Sequence, residues 1–294
     1  MSTSTSSTLP LQNQIALVTG AGTGIGLMIA QSLAKAGTKV YITGRRLNVL
    51  ENAVAESNIT NAGTLIPLQM DACSESDIAR AVQTIRQADG KLDILVNNAG
   101  FNGSKSDPDG FNARKAAVSA ADNMDPETVQ DWLDLFHINS IMPFFIIRAF
   151  TPLLKEGAEA RGPQATSNII NITSTTTTMA FTGTYGSLAY TATKAALENI
   201  SSVMAVHFAR NGPRIRVNCI APGLFPSELA ERTLGKAGLD EIAKQAVPGY
   251  MSASPAGRGG RPEEIGATTV YLASNEFVNG VSLKVDGGLS MMNP

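Results

Sequence analysis

The chain has 294 residues, 43% hydrophobic and 16% charged, with a formal net charge of −2. That length suits one large domain, and near-neutrality without a basic block gives no footing for nucleic acid or an anionic membrane surface. Two cysteines (Cys73, Cys219) and two histidines (His137, His207) supply neither a disulfide framework nor a metal cluster, so no metal is expected and a reduced, cytoplasmic setting is.

The opening MSTSTSSTLP is polar and of low complexity, with neither a basic nor an apolar signal region. Residues 1–12 therefore read as a disordered tail and residues 13–294 as a single domain. From there apolar β-type runs alternate with helix-length segments. The runs are QIALVTG (14–20), TKVYITG (38–44), TLIPLQM (64–70), LDILVNN (92–98), NIINIT (168–173), RIRVNCI (214–220) and VSLKVDG (281–287). Helices are expected at about 24–36, 46–56, 75–88, 126–154, 188–210 and 262–273. No apolar run reaches 18 residues, so no bilayer-spanning segment is expected. Strands this apolar, with helices between them, predict a mostly parallel seven-stranded sheet covered on both faces. The expected class is α/β, doubly wound, of Rossmann type.

Two polar, Gly/Pro-punctuated stretches interrupt the rhythm at about 101–125 and 224–261. Both follow strand C-termini, where open α/β sheets bind ligands, so both are expected as substrate-side insertions.

ALVTGAGTGIG (16–26) ends the first strand and opens the first helix with Gly20, Gly24 and Gly26. Backbone without a Cβ can approach a pyrophosphate, and the helix N-terminus supplies N–H donors. The spacing is TGxxxGxG, not GxGxxG. TGAGTGIG resembles the cofactor turn of short-chain dehydrogenases/reductases, and the other hallmarks of that family follow in order. They are NNAG at 97–100, Asn139 in HINS, NITS ending at Ser174, YTATK at 190–194, APG at 221–223 and VDGG at 285–288. The resemblance covers about residues 13–289.

Gly44 stands at the end of the second strand, where an acidic residue would bind the adenosine 2′-hydroxyl of NAD. Arg45 and Arg46 follow it, and arginine suits a 2′-phosphate, so NADP(H) is expected over NAD(H). Thr23, where many NADP-using relatives carry a basic residue, speaks the other way. The resemblance further implies cofactor contacts from Thr23, Gly24, Ile25 and Gly26, from Asp71 and Ala72, and from Asn98, Ala99 and Gly100. It also implies Pro222, Gly223 and Ser227, the last binding the nicotinamide carboxamide. Asp71 has a second reading, as a helix cap ahead of SESDI.

Tyr190 and Lys194 lie four residues apart, on one helix face. A nearby ammonium lowers a phenol's pKa, which would make Tyr190 a general acid/base. The resemblance gives Lys194 the nicotinamide ribose as well, Ser174 the substrate carbonyl, and Asn139 a water-mediated proton path through Lys194. Ser174 precedes Tyr190 by 16 positions, about three more than the family pattern, which leaves Thr177 as a second candidate. Tyr185, with Ala189 four residues on, lacks the cation and is not expected to act.

The expected activity is interconversion of a small ketone and a secondary alcohol. A non-redox enzyme (isomerase, dehydratase or cyclase) and a cofactor-binding regulator are the alternatives. The apolar helices at 126–154 and 188–210, with the habit of the family, point to a homotetramer or homodimer.

Overall fold

The computed structural model describes residues 9–59, 62–103, 127–179, 187–227, 239–245 and 252–293. All seven apolar runs form strands: β1 (Ile15–Thr19), β2 (Lys39–Gly44), β3 (Thr64–Gln69), β4 (Ile94–Asn97), β5 (Ser167–Ile172), β6 (Ile215–Pro222) and β7 (Ser282–Val285). They make one sheet in the order β3-β2-β1-β4-β5-β6-β7, with every neighbouring pair parallel. The helices are α1 (Gly24–Lys35), α2 (Leu47–Ala55), α3 (Glu75–Asp89), α4 (Val129–Phe136), α5 (Met142–Ala160), α6 (Leu188–Asn211), α7 (Leu239–Lys244), α8 (Pro262–Ser274) and α9 (Leu289–Met292).

In the central strands β1, β4, β5 and β6, continuous apolarity follows from burial on both faces. In β1, Ala16 and Val18 join Ile29 and Leu33 of α1 and Ile265 and Leu272 of α8 on one face. Ile15 and Leu17, one residue out of phase, join Ile85 of α3 and Ile146 and Phe150 of α5 on the other. Successive side chains point to opposite faces, so a strand with helices on both sides cannot alternate in polarity.

The order reverses direction at β1, which pairs with β2 on one side and β4 on the other. The crevice beyond the C-terminal ends of β1 and β4 is the topological switch point. The glycine turn and the NNAG segment both arrive there.

Three expectations need amending. The tail does not run to residue 12: Leu11 is fully buried, and its N–H donates to the Ala36 carbonyl. The long helix is broken by a π turn at His137–Ile141, between α4 and α5. Finally, Val129–Ala160, 32 residues with a mean hydropathy of 1.3, is long and apolar enough to cross a membrane by length and composition. Its α5 part packs into the core beside the sheet, with Ile147, Phe150, Leu153 and Leu154 inaccessible. Most of 101–125 and much of 224–261 lie outside the described residues. Within the second stretch, Ser254, Ala256, Arg258, Gly259 and Gly260 line a cleft of about 510 Å³ with Leu224, Phe225, Lys284 and Asp286, apart from Tyr190 and Ser174.

Candidate active site

At the switch point the glycine turn and the end of β4 interlock. Gly20 has φ +63°, and a Cβ there would stand 2.8 Å from Ala99 Cα. Thr19 Oγ1 accepts the N–H groups of Asn98 and Ala99, both at 3.0 Å. Asn98 Nδ2 returns bonds to the carbonyls of Thr19 and Gly20, both at 2.9 Å. Asn98 and Ala99 thus hold the turn in shape. Gly26 is excluded from bearing a side chain by the Gly20 carbonyl, 2.4 Å from its Cβ position.

The start of α1 fits a phosphate group. Its N-cap, Thr23, is extended and makes no side-chain capping bond, and the first turn carries no acidic residue. The orphan N–H groups of that turn are therefore left for an anion. Gly24, at φ +57°, would place a Cβ 3.0 Å from Ser227 Cβ. The fold thereby brings Ser227 against the glycine turn from about 200 residues away in sequence. Ile25 packs its side chain against the core of that face.

Beyond β2, Arg45 and Arg46 are exposed. The Arg45 carbonyl is held by Gln69 Nε2 at 2.9 Å, and Arg46 is the N-cap of α2. A Cβ on Gly44 would meet only Leu50, at 3.5 Å, so space does not forbid an acidic residue there. Asp71 is not the cap of α3: Ser74 is, accepting the Asp77 N–H at 3.2 Å. Asp71 instead accepts from the Cys73 N–H at 2.9 Å, beside the buried Ala72. Pro222 closes β6 in full burial, and Gly223 has no room for a side chain because Asp286 would lie 2.7 Å away.

The second constellation lies where β5, the π turn and α6 converge. Ser174, at the end of β5, hydrogen-bonds the phenol of Tyr190. Its Oγ also accepts from Thr176 Oγ1 at 3.0 Å. Thr177 sits one step along the 3₁₀ turn with its N–H on the Ser174 carbonyl, so Ser174 is the hydroxyl at the tyrosine. Lys194 is 5% exposed; its Nζ donates to the Ile172 carbonyl at 2.7 Å and stands 5.7 Å from the Tyr190 ring centroid. Asn139 is inaccessible, with Nδ2 on the Phe101 carbonyl at 3.0 Å and Oδ1 accepting the Phe101 N–H at 3.2 Å. A Cβ on Gly100 would meet Asn139 Oδ1 at 2.5 Å and Lys194 Nζ at 3.6 Å. Glycine there lets the carboxamide, the ammonium and the end of β4 share one small space.

The electrostatics differ from the sequence expectation. Burial pushes the Tyr190 phenol up to about 12, opposed only by the Ser174 bond. Burial brings the Lys194 ammonium down to about 8, opposed by the Cys219 thiol. Lys194 does not lower the phenol here because its Nζ is directed at the Ile172 carbonyl. The phenol thus keeps its proton at neutral pH.

Known proteins resemble this chain along nearly its whole length. A family model described as enoyl-(acyl carrier protein) reductase matches residues 20–290. The short-chain dehydrogenase/reductase PhomF′ of Diaporthe leptostromiformis is 33% identical, over 95% of this chain and 92% of its own. The chain belongs to the short-chain dehydrogenase/reductase family. Another member, the rhamnolipids biosynthesis 3-oxoacyl-[acyl-carrier-protein] reductase of Pseudomonas aeruginosa, is 31% identical over 96% of this chain and 98% of its own. Among solved members, a Pseudomonas aeruginosa RhlG/NADP active-site complex superposes with a TM-score of 0.77 at 31% identity, covering 96% of this chain and 98% of that one. Like other short-chain dehydrogenases/reductases, this protein is an oxidoreductase that uses a nicotinamide cofactor and acts on small molecules.

Three polar residues of this short-chain dehydrogenase/reductase cluster escape the sequence reading. Ser187 caps α6, its Oγ accepting the Tyr190 N–H at 2.8 Å. A serine three residues before a helical tyrosine is a recognisable N-cap signal. Glu127 bonds the Ser187 hydroxyl and accepts the Ala189 N–H at 3.3 Å. Nothing local announces that contact, which spans 60 residues. Thr193, between Tyr190 and Lys194, bonds both Asn139 Nδ2 and the Tyr190 carbonyl. Tyr185 lies outside the described residues. His137 opens the π turn, and His207 is exposed with Asn211 Nδ2 on its ring nitrogen.

Proposed function

We propose that the protein is an NADP(H)-dependent carbonyl reductase that interconverts a small ketone and a secondary alcohol, with Tyr190 as the general acid. The observation that carries this reading is the Tyr190 phenol, held protonated by burial and aligned by Ser174 at the end of β5. When bound, the nicotinamide supplies the hydride. Ser174 holds the substrate carbonyl oxygen, and Tyr190 delivers a proton to that oxygen as charge develops on it. Lys194 carries a positive charge below about pH 8. Its ammonium also suits the hydroxyls of a nicotinamide ribose. Asn139, sharing the Gly100 space with Lys194, leads a proton path towards it.

Preference for the 2′-phosphate is supported by Gly44, Arg45 and Arg46. Steric room for a carboxylate at Gly44 is present and unused, and two exposed guanidinium groups follow. Ser227 against Gly24 supports a hydroxyl for the carboxamide. A homodimer or homotetramer is supported by the apolar side chains that α4 and α6 leave exposed, among them Val129, Leu133, Leu188, Val203 and Val206. A cytoplasmic setting is supported by Cys73 and Cys219, which are not joined in a disulfide.

The test follows NADPH absorbance with a ketone panel that includes ethyl acetoacetate and cyclohexanone, using wild type and Tyr190→Phe. The expected result is turnover in wild type and loss of at least about a hundredfold in the variant, with NADPH binding retained. NADPH binding without oxidation by any ketone would favour a redox-neutral enzyme or a regulator instead.

A further inference from the structure

Thr193 is fully buried at the junction of three segments. Its Oγ1 accepts a hydrogen bond from Asn139 Nδ2 at 3.1 Å and donates one to the Tyr190 carbonyl at 2.7 Å. Its own carbonyl accepts from Ser140 Oγ at 2.7 Å. Two consecutive residues of the π turn therefore close on one residue of α6. A threonine hydroxyl bonded back to its own helix is commonplace. Here the same hydroxyl also reaches a second element and holds a side chain of the proposed proton path.

The Asn139 carboxamide is thereby constrained on three sides. One Nδ2 donor goes to Phe101, the other to Thr193, and Oδ1 accepts from the Phe101 N–H. A fully buried amide with both donors and its acceptor engaged cannot rotate without abandoning a bond. The orientation has consequences, because Oδ1 and Lys194 Nζ flank the same point above Gly100. A flipped carboxamide would turn an N–H group, not an oxygen, towards the ammonium.

We propose that Thr193 is a positioning residue: its hydroxyl sets the direction of Asn139 relative to the helix turn that carries Tyr190 and Lys194. The proposal rests on the reading of Tyr190 as the proton donor.

The test compares Thr193→Val, which keeps the shape and loses the hydroxyl, with Thr193→Ser, Asn139→Ala and the double variant Thr193→Val/Asn139→Ala. Each is assayed with NADPH and the best ketone of the panel, beside its melting temperature and NADPH affinity. Thr193→Val is expected to lower kcat about ten- to a hundredfold, with KM and NADPH affinity within about threefold of wild type. Thr193→Ser should recover most of the rate. The double variant should be no slower than Asn139→Ala alone, since the hydroxyl then has nothing to orient. A wild-type kcat in Thr193→Val, or losses that multiply in the double variant, would overturn the proposal. If Thr193→Val does not fold, Thr193→Ala carries the same expectations and the same refutation. Full activity in Tyr190→Phe, or no ketone reduction by wild type, would overturn the underlying reading and this proposal with it.

Discussion

Lys194→Met should make the protein more stable at neutral pH while removing its activity. The wild-type ammonium is almost fully buried, and burial brings its pKa from 10.5 to about 8. At ~1.4 kcal/mol per pKa unit this corresponds to about 3 kcal/mol against folding with the lysine charged. Methionine is similar in length and carries no charge. It leaves the Ile172 carbonyl without its 2.7 Å donor, a loss of about 1 kcal/mol. The net expectation at pH 7 is ~2 kcal/mol of added stability, or roughly 4 °C in melting temperature for a chain of this size. The sign reverses with pH. Between about pH 8 and 10.5 the unfolded chain binds the lysine proton and the folded chain does not, so wild-type stability rises across that window. Near pH 10.5 the charge term has gone, and the variant should be the less stable by about 1 kcal/mol. Urea unfolding at both pH values reads the difference directly. A variant less stable at pH 7, or offset by the same amount at both pH values, would refute the assignment of Lys194 as a destabilising buried cation.

The same group sets a pH–rate expectation: kcat/KM for ketone reduction should fall above about pH 8 as Lys194 loses its proton, and not with the phenol, which holds its proton to about 12. An alkaline limb only near pH 12 would contradict this. Arg45→Asp, or Gly44→Asp, should shift preference from NADPH towards NADH, read as the ratio of kcat/KM values; an unchanged ratio counts against the 2′-phosphate reading. Asp93 is inaccessible and joins Arg161 Nε at 2.9 Å, Lys91 at 3.1 Å and the Ile15 N–H at 2.9 Å. Asp93→Asn should lower unfolding stability by about 3–5 kcal/mol, and a loss under 1 kcal/mol would show that the network is not stabilising.

Much of this was legible in the chain. Apolar runs without alternation predicted strands buried on both faces, and all seven are present in one parallel sheet. TGAGTGIG encoded its own turn, since positive φ at Gly20 and Gly24 is a backbone requirement that residue identity alone can state. The spacing of Tyr190 and Lys194 placed them on one face of one helix. The tail was misjudged because burial of Leu11 depends on α1 and its following loop, not on the polar residues beside it.

What the sequence determined by itself was therefore local: the periods of strand and helix, the glycine conformations, and the i,i+4 pair. Tertiary structure decided which groups meet. It seated Ser174, not Thr177, on the phenol, and inserted a π turn that aims Asn139 at Thr193. It also turned the Lys194 ammonium towards the Ile172 carbonyl, so burial raises the Tyr190 pKa where the sequence pair suggested lowering. The physical reason is the range of the interactions. Periodicity and capping act over three or four residues, whereas desolvation and hydrogen bonding at the site join segments tens of residues apart and exist only after the sheet has assembled.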